Sequence, residues 1–249
     1  MTMLKNSKKT RAANAHLGPT DDKSDAAIAG RLNVTITAPN FREMSVEVVG
    51  ATPMVQLAFG EKARNAMREK QAAGSTAKRG KREAKDFEAA FEQAIHRSRE
   101  GWCGIPAGAV RAAMIRACSL VGFEMVKAKM CLFIRGDGYD AVEGTPLIRM
   151  FRVDEDGNEI AAEPHHVEHM VHNANGVADI RVRAIYDEGW RARIRVRYDA
   201  DIFTADEITN LLHRAGLQVG VGEGRPFSPK SCGMGWGQFD LVLDNNNNG

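Results

Sequence analysis

Residues 191 to 198 read RARIRVRY, with Arg191, Arg193, Arg195 and Arg197 alternating with Ala192, Ile194, Val196 and Tyr198. In an extended chain successive side chains point to opposite faces. The stretch is therefore a strand with an apolar stripe on one side and guanidinium groups about 7 Å apart on the other. It needs a sheet with one covered face and one open face. A solvated face requires only polarity, which mixed Thr, Gln, Glu and Lys would supply without like-charge repulsion. Four arginines in a row along one face point to an anion on the open side. The competing readings are an exposed sheet face that happens to use arginine and a ladder in which the arginines are buried partners of acidic groups.

The rest of the chain supplies the covering layer. MSVEVVG (44 to 50) alternates Met44, Val46 and Val48 with polar residues and predicts a strand, as does RLNVTITAP (31 to 39) before it. GIPAGAVRAAMIRACSLVG (104 to 122) predicts a helix entered through Pro106 and closed at Gly122. Its apolar side carries Val110, Ala113, Met114, Ala117 and Val121, with Arg111 on the flank. KMCLFIR (129 to 135) predicts a buried strand, and ADIRVRAIY joined by DEG to RARIRVRY predicts a β-hairpin. TADEITNLLHRAG (204 to 216) has a capping box at Thr204 and Glu207 and a glycine, Gly216, where a left-handed cap is expected. QFDLVL (238 to 243) closes the series. The order is β-α-β-β-α-β, which predicts an α+β, modified ferredoxin-like fold with both helices on one face of an antiparallel sheet. The open face would then carry the arginine row, joined by Arg181 and Arg183 of the preceding strand.

Charge is concentrated. The net charge is +2, but residues 61 to 85 hold nine basic side chains against three acidic ones, and the first twenty residues hold four basic and no acidic ones. This leaves about −8 for the remainder. Residues 1 to 28 read as a disordered basic arm and 245 to 249 as a disordered tail, flanking a core over 29 to 244. Within it, 57 to 100 reads as a helical insertion, with two exposed helices around a tip at Gly74-Ser75 and Gly80. Lys78, Arg79, Lys81 and Arg82 of the insertion are candidates to clamp a phosphate backbone. Neither a membrane-length apolar run nor a secretory leader is present in the sequence, so a cytoplasmic location is expected. Cys103, Cys118, Cys131 and Cys232 are widely spaced and read as buried thiols, not as a zinc or disulfide framework.

Gly220, Gly222, Gly224, Gly233, Gly235 and Gly237 fall within eighteen residues around Arg225, Lys230 and Trp236. Glycines at this density let backbone amides approach an anion, although the segment lacks the G-K-[ST] of a P-loop. A ferredoxin-like unit with such a loop before its last strand resembles the RAMP superfamily of CRISPR-associated RNA-binding proteins. GIPAGAVRAAMIRA is similar to the I-P-G-S-S-x-K-G-x-x-R helix start of their backbone subunits, through Ile105, Pro106, Gly108, Arg111 and, in part, Arg116. Ala107 and Ala109 depart from that pattern, and Arg111 stands where it often has lysine. The chain also resembles phage-encoded proteins of similar length with a basic insertion and a G-x-G-E-x-R-P loop. The RAMP resemblance implies a non-enzymatic subunit that polymerises along a single strand, with the insertion as a thumb, and no cofactor. The expected partners are single-stranded RNA or DNA and further copies of the chain.

Two other function classes compete. His165, Glu168 and His169 spell H-x-x-E-H within EPHHVEHMVH (163 to 172), which on a helix would put two zinc ligands on one side. A solvated His-rich helix is the alternative, because Pro164, Gly157 and Gly176 confine the segment and no third ligand is evident. The RAMP resemblance also implies a metal-independent RNA endonuclease with a histidine as general acid or base, for which His96 and His213 are candidates. A protein-binding decoy of a nucleic-acid complex is a third class.

Overall fold

The structure, a computed structural model, describes residues 36–58, 61–74, 86–172, 176–227 and 233–242. The basic arm, the tail, residues 31–35 of the first anticipated strand and the clamp residues Lys78, Arg79, Lys81 and Arg82 lie outside these, as do Lys230 and Cys232. Residues 36–40 carry no regular structure. The elements that follow are β1 (Phe41–Gly50), β2 (Met54–Gln56), α1 (Glu61–Ala73), α2 (Phe87–Ala94), β3 (Gly104–Pro106), α3 (Ala107–Cys118), α4 (Met125–Cys131) and β4 (Leu132–Arg135). After them come β5 (Gly138–Tyr139), β6 (Pro146–Val153), β7 (Glu159–Ala161), β8 (His165–His172), β9 (Ala178–Tyr186), β10 (Arg191–Asp199), α5 (Ala205–Arg214) and β11 (Phe239–Leu241).

β1, α3, β4, β10, α5 and β11 form the β-α-β-β-α-β unit. Its strands lie in the order β11-β1-β10-β4, with every neighbouring pair antiparallel. This is the ferredoxin-like arrangement. β10 also pairs with β6, which extends the sheet through β3, β5 and β7. Ala192, Ile194, Val196 and Tyr198 are buried in one core with Val110, Ala113, Met114 and Ala117 of α3 and Ile208, Leu211 and Leu212 of α5. Each fully buried side chain of this size contributes about 1.5 to 3 kcal/mol. The arginines of β10 face the other way and are exposed or half-buried. Among the described residues no helix is long and apolar enough to cross a membrane.

The anticipated hairpin between residues 178–186 and 191–198 does not form. Val49 pairs with Arg191 and Met54 with Tyr186, the same register on either side of a break in the ladder, so β9 and β10 follow one another beside β2 and β1 across a bend. The bend lies at Gly50 and Gly189, where Gly50 N donates to Trp190 O at 2.6 Å and Gly189 N to Gly50 O at 2.9 Å. Any Cβ on Gly50 would overlap the fully buried indole of Trp190, so this corner requires glycine. DEG is therefore a bend and not a reversal, because long-range pairing with residues 41–56 replaces the local turn. Beyond it β9 joins a second sheet of order β2-β9-β8.

Other expectations need correction. Residues 129–131 end a short helix, α4, and the strand is confined to 132–135. The insertion is not wholly exposed, since α2 packs on β9 and Ala94 and Ile95 are buried. Thr204 and Glu207 form their capping box, but α5 continues through a π-helical turn at 215–219 and reaches a left-handed φ only at Gly220. Gly216 serves instead to let that turn touch Phe239 of β11. The segment 163–172 is built around a strand, β8, not a helix. Cys103, Cys118 and Cys131 are buried free thiols, and burial pushes the Cys103 thiol up to about 11.

Candidate functional site

The arginine row meets acidic residues from β1, β7 and the loop between β4 and β5. Arg191 donates to Glu47 at 2.8 Å, and Arg193 bonds both Glu159 and Glu47. Arg195 reaches Asp137 at 2.7 Å and the carbonyl of Gly136. Arg197 has no carboxylate partner among the described residues and lies over the ring of Phe41 at 4.6 Å. Most of the row is thus charge-compensated on a partly exposed face, where single pairs contribute under about 1 kcal/mol. R193Q/R195Q/R197Q is expected to leave the protein folded and to lower the slope of log affinity against log salt for a single strand by about 1 or less, mainly through Arg197. Titrations of a single-stranded oligonucleotide at several salt concentrations, with a melting curve, measure both.

Past the bend, Arg183 enters the interior with 5% exposure. Its Nε and Nη2 donate to the two carboxylate oxygens of Glu223 at 2.8 and 2.7 Å, while Nη1 is buried without a hydrogen-bond partner among the described residues. This forked pair ties the glycine loop to the small sheet. His169, across from the exposed Arg181, sits 5.3 Å from the Trp236 ring. Burial, reinforced by the nearby Arg183 charge, lowers the His169 pKa against the opposing pull of Glu223. His165 and His169 lie four residues apart on one strand, about 13 Å at 3.3 Å per residue, too far to share a zinc ion. No group of three metal-ligating side chains occurs among the described residues.

Several glycines of the loop are required by packing. Gly222 has φ of 79° and a Cβ there would collide with Val55 O, while at Gly237, with φ of 69°, it would overlap Val221 O. Many loop amides are also spent internally: Val221 N bonds Gly237 O, Glu223 N bonds Val55 O and Gly220 N bonds Ala215 O. Those of Gly222 and Gly224 have no acceptor among the described residues. Arg111 braces the chain beside α3, its Nε donating to Leu132 O at 2.7 Å and its Nη2 to Lys129 O near the end of α4.

The loop and α3 bound a continuous groove. One cavity of about 350 Å³ is lined by Met54, Leu57, His96, Pro106, Glu223 and others. A second of about 540 Å³ includes Ala112, Arg116, Gly220 and Phe227, and both share Ala109, Gly222 and Arg225. Arg225 is braced by a 2.8 Å bond from Nη1 to Gly222 O, and Arg116 lies over the Phe227 ring at 4.0 Å. α3 begins at the groove without a side-chain cap, because its N-cap is Pro106, and without an acidic residue in its first turn. The uncapped start of α3 and two guanidinium groups make this groove attractive to an anion.

Of the two histidine candidates, only His96 lies at the groove. His213 is bonded to Asp240 at 3.0 Å on an exposed surface, whereas His96 lines the smaller cavity and its Nδ1 meets Asp140 Oδ2 at 3.0 Å. Burial opposes the charge on Asp140. Its carboxyl is nonetheless held below the ordinary range by the amides of Glu143 and Val142 and by the His96 ring. Sequence reasoning missed Asp140, which is 44 residues from His96, and gave Arg116 only a partial motif match.

Neither a protein-family model nor a curated protein matches the chain. Among solved structures, one chain of a cryo-EM structure of the Type III-B Cmr-beta bound to cognate target RNA aligns with a TM-score of 0.47 and 11% identity. The alignment covers 82% of this chain and 60% of that one, so the protein spans under two thirds of that chain's length.

Proposed function

We propose that the protein binds single-stranded nucleic acid without selecting sequence, does no chemistry on it, and assembles with further copies along the strand. The observation that carries this reading is the groove, where Arg116, Arg225, the uncapped start of α3 and the Gly222 amide, which has no acceptor among the described residues, converge. Guanidinium forks suit phosphate oxygens, and the Arg116–Phe227 stack offers flat faces to bases. Such contacts position a strand without reading it. Arg197 and Arg181 on the two sheets and the cationic segment 78–82 would extend the backbone track, consistent with the RAMP resemblance of the sequence. Titration of single-stranded RNA, single-stranded DNA and duplex DNA, with the complexes sized by light scattering, tests it. Tight single-strand binding with several copies per long oligonucleotide is the expected result. Equal or stronger duplex binding would overturn it.

The insertion gives a separate prediction. Replacing residues 75–85 by a short Gly-Ser linker removes Lys78, Arg79, Lys81, Arg82 and Lys85 against one acid, Glu83. The core should stay folded, while affinity falls and the salt slope flattens by about 0.7 for each phosphate that the insertion had neutralised. An unchanged slope would remove the insertion from the binding surface.

A further inference from the structure

His96 is held on three sides. Its backbone N–H donates to Gln56 Oε1 at 3.1 Å, its carbonyl accepts from Gly104 N at 3.0 Å, and its ring Nδ1 is bonded to Asp140. Gln56 is itself fixed, since its Nε2 donates to Gly104 O at 2.8 Å, and Asp140 is fixed by two backbone amides. The backbone bonds fix where the side chain starts, and the Asp140 bond orients the ring. Its Nε2 has no protein partner among the described residues, and the side chain, 15% exposed, forms part of the wall of the smaller cavity. The other walls there are largely apolar, from Met54, Leu57, Ile105 and Pro106, and the cavity opens at Arg225 and Gly222 into the adjoining one.

A hydrogen-bonded imidazole in the wall of a cavity that Arg225 also lines suits a sugar hydroxyl. Resting on the strand-binding reading above, we infer that His96 Nε2 hydrogen-bonds the ribose 2′-hydroxyl of the nucleotide whose phosphate Arg225 holds, so that the groove selects RNA over DNA. A hydroxyl both donates and accepts, so it satisfies Nε2 whether that nitrogen is bare or protonated. Deoxyribose presents only a methylene there and leaves a desolvated nitrogen unpaired, a loss that discriminates more strongly than the gain of one bond. Asp140 acts through His96 as a positioning residue.

The test compares 20-mers of one sequence as RNA, DNA and 2′-fluoro RNA on the full-length protein and on His96→Phe. The wild type should prefer RNA by about tenfold, equivalent to about 1.4 kcal/mol, and 2′-fluoro RNA should bind like DNA. That arm needs no variant and so stands even if substitution at His96 impairs folding. H96F should weaken RNA to the level of DNA and leave DNA unchanged. Equal binding of RNA and DNA by the wild type, or a preference that survives H96F, would overturn the inference while leaving strand binding intact. Failure of both to bind would remove the strand-binding reading along with it. Shortened RNA products that vanish in H96F would also overturn it, assigning His96 to proton transfer instead.

Discussion

Glu223→Gln is expected to lower folding stability by about 3 kcal/mol, because the amide keeps one acceptor but removes the countercharge and the second acceptor from the interior Arg183 guanidinium. Arg183 already has one nitrogen, Nη1, without a hydrogen-bond partner among the described residues. Chemical denaturation of wild type and variant measures the loss as a shift in midpoint at constant slope. The double variant R183M/E223Q should recover much of the stability, since it removes the buried charge along with the pair. If E223Q costs under about 1 kcal/mol, the pair behaves as a surface ion pair and does not anchor the glycine loop. The consequence for function follows from the contacts: Glu223 N is bonded to Val55 O and Gly222 borders both cavities, so a loosened loop deforms the groove.

Arg116→Gln with Arg225→Gln is expected to reduce single-strand affinity by about 100-fold, from two charge-assisted contacts at about 1.5 kcal/mol or more each. The salt slope should fall by about 1.4, at 0.7 for each phosphate on a single strand. Both side chains are half-buried at the surface, and the Arg225–Gly222 and Arg116–Phe227 contacts are modest, so the melting temperature should move little. Arg→Lys at both positions should restore the salt slope but only part of the affinity, because an ammonium keeps the charge and loses the fork. An affinity within about threefold of wild type for the Gln pair would place the nucleic acid elsewhere, with the arginines of β10 as the next candidates.

Much of the scaffold was legible because it rests on local rules. The alternation in RARIRVRY sets which side chains of β10 face the helices, and no tertiary contact could exchange those faces without a one-residue slip of the whole strand. The capping box at Thr204 and Glu207, the Pro106 entry to α3 and the left-handed stop at Gly122, with φ of 72°, are likewise local. Together they give the β-α-β-β-α-β order. Local reasoning failed in β8, whose His-rich stretch carries no clear period. It failed again at DEG, where turn-like residues mark a bend.

The amino-acid sequence by itself determined the element order, the two-faced character of β10 and the concentration of charge, because each depends on residues within a few positions of one another. The tertiary structure decided what those charges meet. Glu47, Asp137 and Glu159 come from three distant segments to neutralise most of the arginine row, and the bend around Trp190 turns Arg183 from the expected open face onto Glu223. The same holds for the groove, where His96, Asp140, Arg116 and Arg225 converge from four segments. Side-chain identity sets what a group can bind, but which partner it finds depends on long-range strand pairing, and that pairing depends on the whole core at once.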